Sequence, residues 1–232
     1  MVTVMDSQLL SLLQLGDSNF PSGAFSHSFG LETYIQDESV HNKETFFEWI
    51  RIYLEKQLAN TDGLACRITL EALMNKDVLE IWNLDRKLFV QNMPEETRQA
   101  NRRIGERLVV IGIDLYSIPL LEKYLKKIRR NEAFGHPAIA FMIICYFLKI
   151  DRNQAILTFL YSTITSLVQN GVRGIPLGQT AGQRILLEIQ PVLLKTVKRI
   201  ESLDIGDFGA VAPGIEIAQM RHEKLGVRLF MS

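Results

Sequence analysis

The chain has 232 residues, with Lys plus Arg and Asp plus Glu both at 26, so no net field draws it to nucleic acid or to an anionic membrane. Hydrophobic residues make up 47% of it, an ordinary globular share, and its longest apolar run, Ala138 to Leu148, falls short of the roughly 20 residues that a membrane-spanning helix requires. Cys66 and Cys145 are its only cysteines and fit no C-x-x-C spacing, which argues against a disulfide framework or a thiolate zinc site; with no export pattern at the N-terminus, a reducing cytoplasm is expected.

Apolar residues recur at three- and four-residue spacing along nearly the whole chain, so the expected fold is all-α, a single-domain bundle of roughly ten helices over residues 1–232. Asp6 or Ser7 is placed to cap a first helix whose Leu9, Leu10, Leu12, Leu13 and Leu15 precede Gly16. Asp17 to Gly23 reads as a loop, and a second helix is expected from Phe25 to Gln36. A third follows Asn42 and carries Phe46, Trp49, Ile50, Tyr53, Leu54 and Leu58 on one face.

Asn60 to Asn75 and Asp77 to Gln91 give two further helical patterns. Pro94 suits the first turn of a helix running to Tyr116, with Glu95 and Glu96 where an N-terminus favours negative charge. Pro119 and Pro137 begin the next two, and Asp151 caps another that ends near Gly171. The last long pattern, Pro176 to Ser202, contains Pro191, which should kink or split it. Gly206 to Gly214 is the most loop-like stretch, and after one more short helix comes a tail, residues 226–232, with apolar residues but little length to bury them within its own chain.

The chain carries no Walker A pattern, no dinucleotide fingerprint, no H-E-x-x-H and no EF-hand loop. Its densest unusual segment runs from Gly16 to Glu32 and mixes turn formers, small residues and aromatics. Ser26 or Ser28 with His27 as base would suggest a serine hydrolase, but adjacent side chains on a helix point in different directions. The packing alternative has Ser22 capping the helix, Ser26 and Gly30 forming a small strip, and Phe25 and Phe29 entering the core. His27, His41, His136 and His222 show no i, i+4 pairing, so no local metal site is assigned. His136 reads as a turn or capping residue and His222 as part of a solvated helix face beside Glu223. A second dense segment, Gln169 to Gln183, supplies Gln169, Arg173, Gln179 and Gln183 among glycines; these either satisfy helix-end carbonyls or present Arg173 to a partner.

These segments together resemble the UreF family of urease accessory proteins. Asp17-Ser18, Phe20-Pro21, Gly23-Ala24-Phe25-Ser26-His27-Ser28 and Gly30-Leu31-Glu32 look like its N-terminal signature. Val172-Arg173 with Pro176-Leu177-Gly178-Gln179 and Gly182-Gln183 is similar to its second. Pro213, Glu216-Ile217, Met220, His222-Glu223, Leu225, Arg228-Leu229-Phe230 and Ser232 match its C-terminal pattern. Between about Asn60 and Arg130 only periodicity is available, and Gly174 stands where the family pattern carries a larger apolar residue.

The resemblance implies a non-catalytic, all-α homodimer that binds UreD (UreH in some species), the GTPase UreG and the urease apoprotein, and promotes nickel insertion into the urease metallocentre. No cofactor is bound directly, GTP belonging to UreG; neither nucleic acid nor membrane is a partner. The tail residues Arg228, Leu229, Phe230, Met231 and Ser232 are the expected UreD contact, with Leu229 and Phe230 burying in the partner and ordering as they bind. Ser26, His27, Glu32, Gln169, Arg173, Gln179, His222 and Glu223 are candidates for partner binding or for lining a nickel path. The rival classes are the serine hydrolase at Ser26 and His27, and a metallochaperone that carries nickel on His27 or His222.

Overall fold

The computed structural model describes residues 4–232, and every regular element among them is helical. The first helix, α1 (Val4–Gly16), takes in Asp6 and Ser7, so neither caps it as expected. Of its leucines, Leu12 and Leu15 are buried while Leu9, Leu10 and Leu13 face outward. Helical spacing serves one buried stripe, and three of the leucines lie off it.

The helix expected from Phe25 to Gln36 is broken. A single 3₁₀ turn, Ala24–Ser26, is followed by an extended His27 and then by a short α2 (Leu31–Gln36). The cause is backbone conformation: Gly23 and Gly30 sit at φ 87° and 90°, a region open to glycine at little cost, and each interrupts a helical path. Ser22 therefore caps no helix, Ser26 returns its hydroxyl to the Gly23 carbonyl, and Phe25 is exposed rather than in the core. Gly30 does mark a close approach, because a Cβ there would come within 3.0 Å of Gln219.

Asn42 forms a capping box with Thr45 and starts α3 (Lys43–Ile52). The helix then widens into a π-helical stretch, Tyr53–Gly63, and continues as α4 (Leu64–Met74), so the two helices expected either side of Asn60 are one. Phe46, Trp49, Ile50, Tyr53, Leu54 and Leu58 are all buried, as their spacing predicts. A π ladder is intrinsically weak, and here Arg199 braces it, donating to the Glu55 carbonyl (2.6 Å) and to Asn60 Oδ1 (2.8 Å).

Asp77 caps α5 (Val78–Gln91), and Pro94 stands at the N-cap of α6 (Glu95–Tyr116) rather than inside its first turn. Pro119 and Pro137 begin α7 (Pro119–Arg129) and α8 (Pro137–Phe147) as expected. Asp151 caps α9 (Arg152–Gly174), which runs past Gly171. The Pro176 to Ser202 pattern starts only at Gln179 and divides at Ile189 into α10 (Gln179–Glu188) and α11 (Gln190–Ser202), with Pro191 in the new first turn. The last helix is α12 (Pro213–His222).

At the centre lies α8, buried from Pro137 to Cys145, with α4, α6 and α9 packed around it. Gly171 on α9 lies flat against the Phe46 ring, where any Cβ would collide. One polar anchor is buried in this core. Asp85 is fully buried and accepts from Tyr124 Oη (2.5 Å) and from the amides of Phe134 (2.6 Å), Gly135 (3.3 Å) and His136 (3.0 Å). Its carboxylate thus folds the connection that leads into α8. His136 is the capping residue expected, buried at the N-cap of α8, where its Nδ1 accepts from the Ala138 amide.

Candidate functional site

The three signature segments of the sequence meet at one place. Glu32, in the first turn of α2, is 3% exposed. One oxygen of its carboxylate accepts from the Leu229 amide (2.6 Å), the other from the Phe230 amide (3.1 Å) and from His222 Nε2 (2.9 Å). His222, at the end of α12, is 0% exposed and turns its Nδ1 to Glu96 at 2.7 Å. Glu96, in the first turn of α6, pairs through its second oxygen with Arg228 at 2.5 Å. An imidazole held between two carboxylates, with an arginine beyond, makes a continuous charge-assisted chain. His222 is therefore a buried tie between α2, α6 and α12, where a solvated helix face was expected.

The tail closes over this chain. Ser232 lays its backbone oxygen on the amides of Ser28 (2.5 Å) and Phe29 (3.1 Å) and takes the Ser28 hydroxyl at 2.7 Å. The Met231 amide donates to the Ser26 carbonyl (2.8 Å), and Ser232 Oγ meets His27 Nδ1 at 2.8 Å. Phe230 is 6% exposed within its own chain, so its expected burial in a partner is corrected: the short tail buries it by lying back across the segment before α2. The ring sits under the Arg173 guanidinium, 5.2 Å from its centroid, with Gly174 beside it. Gly174 leaves room that a larger residue would lack, since a Cβ there already approaches Ile35 to 3.0 Å. Val227, Leu229 and Met231 remain exposed on the outer side of the tail.

From α9, Asn170 reaches in with 0% exposure and donates to the His27 carbonyl at 2.7 Å. Arg173 donates to the Phe25 carbonyl at 2.7 Å and to Asn170 Oδ1, so it satisfies a helix-end carbonyl. Gln169 and Gln179 are exposed and stand apart from the convergence, while Glu223 accepts from the Glu95 amide (3.1 Å) at its rim. The positions that sequence reading missed are Glu96 and Asn170. Glu96 was legible only as helix-start charge, and Asn170 carries no signal beyond its place next to Gly171.

Burial, reinforced by Arg103, lowers the His27 pKa to about 4, so the ring is neutral at physiological pH. Ser26 does not touch it, and Ser28 spends its hydroxyl on Ser232, so the Ser26/His27 dyad is not assembled. Among the described residues, no group of three His, Cys, Asp or Glu side chains is placed to hold a metal ion. Nor, among the described residues, is any helix long and apolar enough to cross a membrane.

A separate cavity of about 130 Å³ lies between the π-helical stretch, α6 and α9. Its charged lining is acidic, from Asp17, Asp62 and Glu216, and His136 Nε2 faces Asp62 across 3.8 Å. Burial also lowers the His136 pKa, keeping that ring uncharged. None of Ser26, His27, Glu32, Gln169, Arg173, Gln179, His222 and Glu223 lines this cavity.

Residues 40–190 match the UreF family profile. The urease accessory protein UreF of Bacillus sp. strain TB-90 is 52% identical over 226 residues, covering 97% of this chain and all of that protein. The urease accessory protein UreF of Lachnoclostridium phytofermentans is 51% identical over 228 residues, covering 98% of this chain and all of its own.

Proposed function

The chain belongs to the UreF family of urease accessory proteins, and from that premise we propose that it acts in the cytoplasm as a non-catalytic homodimeric scaffold. In this reading it binds UreD (UreH) and the GTPase UreG, and the assembly promotes nickel insertion into apo-urease, GTP being held by UreG. The observation that carries the reading is the docked tail. Glu32, His222, Glu96 and Arg228 hold residues 228–232 in one fixed path, and that path displays Val227, Leu229 and Met231 as an apolar edge with no cover among the described residues. A rigid apolar edge with an arginine beside it has the make-up of an interface centre.

The tail's two sides then have different jobs. Phe230 and Ser232 hold it to the fold, while Leu229 and Met231 meet UreD. Leu229→Asp with Met231→Asp should abolish capture of UreD while leaving the melting temperature within a few degrees. Undiminished capture would remove the tail from the interface. Arg173 belongs to this reading as a residue that shapes the surface, because its guanidinium is already held by Phe25, Asn170 and Phe230. A second reading, in which nickel passes through this subunit, is favoured by the acidic lining of the cavity. Asp62→Asn with Asp17→Asn would lower urease nickel loading without changing partner capture if that route is used.

A further inference from the structure

One wall of the acidic cavity carries no α-helix. Asp17, Phe20, Ser22, Ala24, Phe25 and Phe29 all line it, and they come from the connection between α1 and α2, whose internal backbone bonds are short-range turns. The part of this connection that touches the tail, residues 24–29, lies between Gly23 and Gly30, both in the left-handed region. A Cβ at Gly23 would meet nothing within 4 Å, so the glycine there serves conformation and not packing. Phe29 itself holds φ 51°, a value that a bulky side chain keeps only where its surroundings fix it.

Those surroundings are the tail and three side chains. The Ser232 oxygen accepts from the Ser28 and Phe29 amides, and the Met231 amide donates to the Ser26 carbonyl. From the helices, Gln219 donates to the Phe29 carbonyl (3.2 Å), Asn170 to the His27 carbonyl (2.7 Å) and Arg173 to the Phe25 carbonyl (2.7 Å). Arg173 joins the two sets, because the same guanidinium covers the Phe230 ring. One segment of six residues thus both receives the tail and walls the cavity. With the tail lifted, two of its amides and one carbonyl lose their partners and the space under Arg173 empties. The glycines at its two ends then absorb the backbone change at little cost.

We propose that residues 24–29 are a lid over the acidic cavity, hinged at Gly23 and Gly30 and latched shut by residues 230–232, so that undocking the tail opens the cavity. The device couples the outer surface of the tail to a space inside the fold. Phe230 and the Met231 amide are the latch, and the outward side chains of Leu229 and Met231 are not part of it. The proposal goes beyond both readings above and rests on neither.

The test uses the full chain, with Ile104→Cys as a reporter in every protein compared. Ile104 lines the cavity from α6, is buried, and is none of the lid's anchors. Cys66 and Cys145, both buried, report any wider opening in the same molecule. Phe230→Ala with Met231→Pro removes the ring under Arg173 and the amide donated to Ser26, while Met231→Ala keeps that amide and is the control. Labelling by a methanethiosulfonate reagent, read thiol by thiol by mass spectrometry, gives the rates, and amide exchange at Leu229 shows whether the tail is free. The expected result is reporter labelling at least about tenfold faster in the double variant, with Cys66, Cys145 and the control unchanged. An unchanged reporter rate overturns the proposal, whether the tail comes free without exposing the cavity or stays docked without those contacts. Equal acceleration at all three thiols also overturns it, because the tail would then support the whole fold. No partner enters the assay, so its failure leaves the scaffold reading untouched, and a failure of urease nickel loading leaves the lid standing.

Discussion

Replacing Glu32 by Ala removes the acceptor for two tail amides and for His222 in one step. Hydrogen bonds to a charged group contribute about 1.5–3 kcal/mol each, so the Leu229 and Phe230 amides together lose about 3–6 kcal/mol of docking, with each 1.4 kcal/mol worth about a factor of ten. The Ser232, Met231 and Arg228 contacts survive the change and keep the tail near its site. The loss should therefore appear as local opening: amide exchange at Leu229 and Phe230 speeds up by about 10²–10⁴-fold while the amides of α8 stay protected. Glu32→Gln, with one acceptor oxygen left, should fall between. Unchanged exchange at those two amides in a folded Glu32→Ala protein would refute the docking account. Equal acceleration throughout α8 would show that Glu32 supports the whole fold instead of the tail.

His27 gives the chain a pH dependence with a definite sign. An unfolded His27 takes a proton below about 6.5, whereas in the fold it stays neutral down to about 4; between those values the unfolded chain holds the extra proton, so stability falls as pH drops through this window and levels off below it. The melting-temperature gap between wild type and His27→Gln should narrow over the same window, and a constant gap contradicts it. Asp85→Ala leaves Tyr124 and the Phe134 and Gly135 amides facing an empty site, while the His136 amide keeps Tyr124 Oη as an acceptor, at about 1–3 kcal/mol per orphaned group before relaxation. A net loss of about 4–5 kcal/mol, or about 8–20 °C in melting temperature, is expected; a shift of only a degree or two would mean that water replaces the carboxylate. Arg173→Ala should slow partner GTP turnover only a few-fold, because the guanidinium is held inside its own chain. A fall of about 10³ or more would instead make it an arginine finger.

Several features that depend on local chemistry were found by sequence reading, although the Asp6 or Ser7 cap and the continuous Phe25–Gln36 helix were not among them. The helix start after Asn42, the Asp151 cap, the Pro119 and Pro137 starts, and the break at Pro191 follow from what those side chains do to the next few amides. The six apolar positions from Phe46 to Leu58 are buried because helical spacing puts them on one face, even though the ladder beneath them widens to π. The rest of what escaped depends on distant partners. The helix broken by Gly23 and Gly30 leaves His27 extended, and its partner there is Ser232, more than 200 residues away; Phe230 is buried beside Gly174 and under Arg173. His222 looked like a surface residue because neither Glu32 nor Glu96 is near it in the chain. The three signatures were legible one by one, and their convergence was not.

The most direct measurement is the nickel content and activity of urease co-produced with UreD, UreG and UreE, with and without this chain, at equal nickel supply. Nickel-poor, inactive urease only when the chain is missing is the predicted result. Equal nickel loading in both preparations would contradict the maturation role.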